Sequence, residues 1–333
     1  MSKESPPPDK LTVFIRSCFR QNKDDDAQFF SNVIDAARCM ESVFNPESAS
    51  IILLTDLDYR NPYRSILHQK DLMPFLDKVV CHTESARPPI FVRGIYTASL
   101  VTDQRTLPGV YFNYLNRIDE MFDAESSAPP KRDIAFSFMG RSCNSLRKRI
   151  LKSGKLSGFR ESHIEDTTNS FPIFSNDKQK IDSNQRRKYL NVLSRSVFVL
   201  CPRGTGSNSI RTFEALKAGA VPVVLSDDIE MPAAEGVDEY YLHVPEKDIN
   251  SIPDILQQNL PRAATLQANG KQAWQYFASN QFWVDSLKKL DAMVEEGEIT
   301  NAPITILRLC SGFREFVRLP LRLRHSLIQS KKK

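Results

Sequence analysis

Glycine is scarce here: 12 residues in 333, about half the usual share. Any cluster of glycines therefore marks a local demand of the backbone. Cysteine pairs are missing too. The six cysteines (Cys18, Cys39, Cys81, Cys143, Cys201, Cys310) contain no C-x-x-C spacing, so neither a disulfide framework nor a structural zinc site is signalled. Buried free thiols in a reducing compartment are the expectation. Long apolar runs are absent as well. Runs such as Ile51–Leu54 and Ala220–Leu225 fall far short of the roughly 20 residues of a membrane-spanning helix. Residues 1–10 are polar with three consecutive prolines. They lack the apolar centre of a signal peptide and the Arg-rich pattern of a transit peptide, and read as a disordered lead-in.

What is present is an ordinary globular composition, 41% hydrophobic and 26% charged, which excludes wholesale disorder, collagen-like repeats and coiled coil. The length fits two domains of roughly 150 residues. The net charge of +5 is uneven: residues 300–333 carry eight cations against Glu315, a balance of +7, leaving −2 on the rest. A slightly acidic body with a basic tail argues against nucleic acid as partner.

The spacing predicts a strand at Leu11–Ile15, a helix over Ala27–Phe44 and a strand at Ser50–Leu54, then a repeat of the pattern at Asp71–Lys78 and Val79–Cys81. Arg87–Leu115 is too mixed to assign. Asp123–Arg132, with its prolines and charges, reads as an interdomain linker. Beyond it the pattern predicts a strand at Asp133–Met139, a helix at Asn144–Lys152 capped by Asn144, a helix at Asn184–Ser194, strands at Val197–Leu200 and Val221–Leu225 flanking a helix at Asn208–Lys217, and helices over Asn259–Glu296. Nearly all-apolar strands alternating with helices indicate parallel sheets covered on both faces. The expected fold is α/β with two Rossmann-like lobes, parallel sheets and a central cleft. Its divisions are an N-terminal lobe over 11–125, a C-terminal lobe over 126–299 and a basic tail over 300–333.

The stretch from Cys201 to Asp228 carries the chemistry. Gly204 and Gly206 stand between a buried strand and a helix, where bare backbone lets N–H groups approach an anion and the helix N-terminus adds about half a positive charge. By position this is a diphosphate cradle. Arg211, one turn in, can pair with phosphate; Glu214, on the same face, can accept from ribose hydroxyls. A P-loop would need a Lys after the glycines, and none follows. A dinucleotide fold would need a third glycine where Ser209 stands, although Asp227 and Asp228 do follow the next strand. A dinucleotide-dependent oxidoreductase thus stays open as an alternative, beside a non-catalytic sugar-nucleotide-binding protein. A tight turn with an exposed Arg211–Glu214 ion pair is the plain structural reading.

Several motifs now line up in order: Phe138-Met-Gly140-Arg141 with Arg147, Tyr189, Ser196 through Gly204, Ser209-Ile-Arg211 with Glu214-Ala, Ala218-Gly219-Ala-Val-Pro222, Asp227 and Pro232. From Asp133 to Leu256 the chain resembles the exostosin family of glycosyltransferases. The resemblance implies a GT-B type fold, a UDP-sugar or other nucleotide-sugar donor in the C-terminal lobe, and an inverting hexosyl or glycuronosyl transfer to a glycan hydroxyl in polysaccharide biosynthesis. Carried over residue by residue, Arg203, Gly204, Thr205, Gly206, Ser207, Ser209, Arg211 and Glu214 would bind the donor, with Arg141 and Arg147 as weaker candidates. No cofactor and no metal are implied, because loop amides, helix dipole and arginine neutralise the leaving group. The family includes luminal enzymes anchored by an N-terminal membrane helix; none being visible here, a cytoplasmic, bacterial version is expected.

The N-terminal third departs from the family pattern. Asp56-Leu57-Asp58 after a buried strand resembles a manganese-type D-x-D, yet Asp56 or Asp58 at a strand end suits the catalytic base equally, and loop-capping carboxylates are the plain alternative. His68, His82 and His163 lack spaced partners and read as structural. In the tail, Ile304, Leu307, Phe313, Phe316, Val317 and Leu321 alternate with arginines. That pattern suits peripheral contact with an anionic membrane, or a terminal helix returning to the N-terminal lobe.

Overall fold

A computed structural model describes residues 11–18, 41–55, 57–58, 61–83, 92–96, 109–111, 131–169, 183–204, 206–227, 229, 231–295 and 305–311. The lead-in, most of the expected helix over Ala27–Phe44, the linker up to 130 and the tail beyond 311 lie outside these residues. The chain divides into two units. One holds residues 1–97, 102–112 and 283–333, the other 98–101 and 113–282.

The first unit is built on a six-stranded sheet with the order β2-β1-β3-β4-β5-β6, parallel throughout. Its strands are β1 (Thr12–Ser17), β2 (Glu41–Ser42), β3 (Ile51–Thr55), β4 (Val79–Thr83), β5 (Gly94–Tyr96) and β6 (Gly109–Tyr111). Every residue of β3 and β4 is buried, as strands covered on both faces require. Because β2 occupies Glu41–Ser42, the helix expected to reach Phe44 does not: that end of the segment is extended and pairs with β1. β5 and β6 fall inside the unassigned stretch, each too short for a period-2 pattern to register. Helix α1 (Pro62–Leu67) starts at Asn61, whose Oδ1 accepts from the Arg64 N–H.

Residues 305–311 are helical and belong to this unit. Leu307 is fully buried among Ile52, Leu54, Ile66 and Val79. The Asn61 side-chain amide donates to Ser311 O at 3.1 Å and to its Oγ at 3.2 Å. This part of the tail therefore packs as a returning helix.

The second unit carries a five-stranded parallel sheet in the order β11-β10-β9-β7-β8. Its strands are β7 (Ile134–Gly140), β8 (Ser162–Asp166), β9 (Ser196–Pro202), β10 (Val221–Leu225) and β11 (Leu242–His243). Its helices are α2 (Ser145–Lys152), α3 (Gly154–Ser157), α4 (Ser183–Arg195), α5 (Ile210–Lys217), α6 (Ile252–Asn259) and α7 (Ala263–Phe277), while α8 (Asn280–Glu295) begins here and from residue 283 belongs to the first unit. One face of the sheet buries Phe136, Phe138, Phe198, Val223 and Leu225 against α2, α3, α6 and α7, and the other buries Val199 and Cys201 against Tyr189, Val192 and Ala215. β8 escapes a sequence reading because it is an edge strand whose five residues are all partly exposed, so no apolar alternation marks it. Gly219 ends α5 at φ +70°, the left-handed cap that glycine adopts without strain. A Cβ there would sit 2.9 Å from Arg132 Nη2, and that guanidinium is tied to the carbonyls of Ser196 and Ala218.

Cys81 and Cys201 are buried free thiols, as expected, but Cys18 and Cys310 are half-buried and Cys143 is exposed. Cys143 sits in the turn leading into α2, where the chain must face solvent before the helix begins.

Candidate functional site

In a parallel sheet the C-terminal strand ends and the following helix N-termini converge on one edge. Here that edge gathers 139–144 after β7, 202–209 after β9 and 225–227 after β10. Three polar ties hold the middle segment. The Asn144 side chain accepts from the Arg147 N–H at 2.9 Å, capping α2, while its Nδ2 donates to the carbonyls of Arg203 at 3.0 Å and Gly204 at 2.8 Å. Arg147, 9% exposed, donates from Nε to Arg203 O at 2.9 Å and from Nη2 to Pro202 O at 3.0 Å. Arg203 in turn donates to the Glu246 carboxylate at 2.6 Å. With three consecutive carbonyls pulled toward α2, the loop has a fixed backbone.

The helix after the loop is the unusual part. Arg211 and Glu214 lie on its buried face, at 8% and 5% exposure, so the reading of an exposed ion pair is overturned. They form no direct ion pair; Tyr189 mediates between them. The Tyr189 hydroxyl donates to Glu214 Oε2, and the Arg211 guanidinium stands 6.0 Å from the Tyr189 ring centre and 4.8 Å from that of Phe138. Arg211 Nη2 donates to Met139 O. Gly140 makes this approach possible, since a Cβ there would lie 2.8 Å from the Phe138 ring and 3.0 Å from Arg211 Nη2.

Burial pushes the Glu214 pKa up against the opposing pull of Arg211 and Tyr189, and pushes the Tyr189 hydroxyl up further still, with Glu214 adding to it. Burial would lower Arg211, but Tyr189 and Glu214 outweigh it and hold the guanidinium charged. Arg147 is lowered to about 10, by burial first and by repulsion from Arg211 second. Two buried cations thus face one buried carboxylate. Arg211 Nε and Nη1, Ser209 Oγ, Ser226 Oγ and Arg141 Nε are buried yet make no hydrogen bond among the described residues. Unmet donors and an excess of positive charge at one strand edge define an anion-seeking surface.

The expected donor-site residues Arg141, Arg147, Arg203, Gly204, Gly206, Ser207, Ser209, Arg211 and Glu214 all occur in this unit on the segments just described. Thr205 and Asp56 lie outside the described residues. Asp58 belongs to the first unit, where its N–H donates to Ser65 Oγ at 2.9 Å and its carbonyl accepts from Asn61. Arg147 and Arg203 have their donors committed to the loop and to Glu246. Asp227 Oδ1 accepts from the Glu246 N–H at 2.9 Å, which engages the acid that a dinucleotide reading assigns to ribose. The second role of Asn144, and Glu246 altogether, escaped the sequence reading; a capping signal reveals the cap but not the spare amide. His163, read as unpartnered, donates from Nε2 to Glu165 Oε2 at 3.0 Å, and Lys188 joins the same carboxylate at 2.8 Å.

Residues 100–259, just under half of the chain, match the family described as the Exostosin GT47 domain. Among curated proteins, the exostosin-1 homolog of Caenorhabditis elegans is 35% identical over 98 residues, covering 28% of this chain and 26% of that protein. A probable glucuronosyltransferase of Oryza sativa subsp. japonica is 36% identical over 101 residues, 30% and 22% of the two chains. A probable glucuronoxylan glucuronosyltransferase of Arabidopsis thaliana is 41% identical over 71 residues, 21% and 15%. The chain spans about a quarter or less of the length of these relatives. A solved DNA-modifying β-glucosyltransferase aligns over 85% of this chain and 100% of its own at 11% identity, with a TM-score of 0.42, below the level from which a shared fold follows. Ordered motifs and the family match agree on one stretch: residues 100–259 of this chain are similar to the Exostosin GT47 domain.

Proposed function

We propose that the protein is a glycosyltransferase that moves a sugar from a nucleotide-sugar donor, a UDP-sugar, to a glycan hydroxyl with inversion. The observation that carries this reading is Arg211: a buried guanidinium on the first turn of α5, with Nε and Nη1 unpartnered among the described residues, after a glycine-containing loop whose backbone is clamped from α2. A diphosphate is the chemistry that meets those donors together with Ser209 Oγ. Loop amides, the helix N-terminus and Arg211 then neutralise the charge that develops on the departing nucleoside diphosphate, while the acceptor hydroxyl attacks the anomeric carbon from the opposite side. The acceptor proton passes to a carboxylate, for which Asp56 and Asp58 are the candidates. Neutralisation of this kind requires no metal, so turnover should survive chelation by EDTA.

The test is titration calorimetry with UDP-sugars and with NAD, followed by a donor-hydrolysis screen. Saturable binding of a UDP-sugar supports the reading. Binding of NAD alone would favour the oxidoreductase, and a bound but unhydrolysed UDP-sugar, with no transfer to any acceptor, the non-catalytic binding protein. A cytoplasmic location, with the basic tail at an anionic membrane surface, belongs to the same proposal and is checked by cell fractionation.

A further inference from the structure

β7 and β8 lie side by side, and their last residues, Gly140 and Asp166, are partners in the register. The chain leaves the sheet at both points, yet the two exits stay joined. The Thr167 N–H donates to Gly140 O at 3.1 Å, and the Ser142 N–H donates to Thr168 Oγ1 at 3.0 Å. Thr168 is fixed in turn by Asp166, whose Oδ1 accepts from the Thr168 N–H at 2.9 Å and from the Thr168 hydroxyl. A hydroxyl has one proton and two lone pairs. With that proton given to the carboxylate, Thr168 Oγ1 can only accept from Ser142, both from its N–H and from its Oγ at 3.0 Å. The chain of donation therefore runs one way, from Ser142 through Thr168 to Asp166, and the carboxylate charge sets its direction.

Arg141 stands between these ties. Thr167 holds the carbonyl before it and Thr168 the N–H after it, while Arg211 Nη2 takes the carbonyl of Met139 one residue further back. The side chain is not held in the same way: Arg141 Nε is buried without a hydrogen bond among the described residues. Arg147 and Arg203 spend donors on the loop carbonyls and on Glu246. Arg141 and Arg211 are the arginines of this edge that keep buried, unmet donors among the described residues. Asp166 and Thr168 are exposed, so water competes for each bond between them and Ser142, and their net contribution to stability is small. A self-contained Asp-x-Thr turn needs only its own two ends. The reach from Thr168 to Ser142, at a sequence separation of 26, is an addition to that turn, and what it fixes is the backbone that carries Arg141.

We infer that Thr168, held by Asp166, is a positioning residue of the donor site: it fixes the turn at 140–142 so that the Arg141 guanidinium meets the donor's diphosphate beside Arg211. The inference rests on the nucleotide-sugar reading, which brings a diphosphate to this edge. Placement matters here because a charged group misplaced by about 1 Å can cost on the order of 100-fold in rate. Neither Thr168 nor Asp166 touches the ligand in this arrangement. Both act through Arg141.

The experiment titrates uridine diphosphate and inorganic pyrophosphate into the full chain by calorimetry and records melting temperatures. The proteins compared are wild type, Arg141→Ala, Thr168→Val, Thr168→Ser, Asp166→Ala and the double variant Arg141→Ala, Thr168→Val. Arg141→Ala should lose about 10- to 100-fold in affinity for both ligands, the worth of a hydrogen bond to a charged group. Valine keeps the shape of threonine without its hydroxyl, and Thr168→Val should lose about fivefold while melting within about 2 °C of wild type, as an exposed substitution does. Asp166→Ala should match it, because the unanchored hydroxyl then turns freely. Thr168→Ser should return to within about twofold of wild type. On the Arg141→Ala background the valine should cost nothing more, the signature of two residues acting as one. Wild-type affinity in Arg141→Ala or Thr168→Val, a valine loss that persists in the double variant, a loss that serine does not repair, or a Thr168→Val protein that melts far below wild type would each overturn the inference. Wild-type protein that binds pyrophosphate but not uridine diphosphate would instead remove the nucleotide-sugar reading, with the variants then judged on pyrophosphate; binding of neither would overturn both.

Discussion

Replacing Arg211 by Ala tests the site most sharply, because the residue serves fold and ligand at once. In the wild type the buried Glu214 carboxylate is supported by the Tyr189 hydroxyl and the nearby guanidinium. Removing the cation leaves a buried carboxylate with one neutral donor, a loss that typically costs about 3–5 kcal/mol. The lost stacking on Phe138, at 4.8 Å, adds up to about 2 kcal/mol when desolvated. The terms are not additive, so about 4 kcal/mol is expected, a fall of roughly 8–16 °C in melting temperature for a unit of this size. The pH dependence carries a sign. The folded-state pKa of Glu214 is already raised, so its contribution to stability is fully present at low pH and is lost as pH rises through that value. Without Arg211 the pKa rises further, and the deficit of Arg211→Ala should shrink on acidification. Adding Glu214→Gln should restore part of the stability, whereas neither change should restore affinity for uridine diphosphate. Calorimetric melting of the single and double variants from pH 5 to 8, with uridine diphosphate titrations where each remains folded, provides the measurement. An Arg211→Ala protein that melts like wild type at every pH would refute the reasoning about burial, and one that is destabilised but binds uridine diphosphate normally would refute the donor role.

That dual role shows what the sequence could and could not disclose. The strands β7, β9 and β10 and the helices around them were legible because a doubly covered parallel sheet writes itself as solid apolar runs such as Val221–Leu225, and Asn144 was legible as a cap because its preference is local. Arg211 and Glu214 were recognised as a pair from spacing, yet spacing says only that two side chains share a helix face. Whether that face meets water or core depends on Phe138 and Tyr189, which arrive from other elements. Glu246 was invisible for the same reason: it meets Arg203 at a sequence separation of 43. In the first unit, β5 and β6 are too short to carry a period, and β2 takes up residues near the end of a segment whose apolar spacing predicts a helix. Leu307 offered the opposite lesson, since its alternation with arginines suited a membrane surface and a returning helix alike until its burial beside Ile52 and Ile66 decided for the latter.

Three further outcomes follow from these contacts. Asn144→Ala removes a helix cap, worth about 1 kcal/mol, together with both amide ties to the loop. It should raise the KM for the donor by more than it lowers kcat, and equal effects on the two, or none, would argue against a positioning role. Deletion after residue 300 strips Leu307 and Ser311 from the first unit and should cost at least the 2–5 kcal/mol of a Leu→Ala change in a core, while affinity for uridine diphosphate persists in whatever fraction stays folded. A folded truncation that cannot bind it would show that the tail completes the site. The last concerns His82, buried in β4 with its ring 5.6 Å from that of Trp283. Burial lowers its pKa from 6.5 to about 4. Between those values the unfolded chain takes up a proton that the folded chain refuses, so stability is full above pH 6.5 and falls as pH drops toward 4, by roughly 3 kcal/mol in all. Phe, which fills a similar volume and does not titrate, should flatten that limb of the stability curve. An unchanged acid limb in His82→Phe, measured by urea unfolding from pH 4 to 7, would mean that the imidazole is not held neutral by its burial against Trp283.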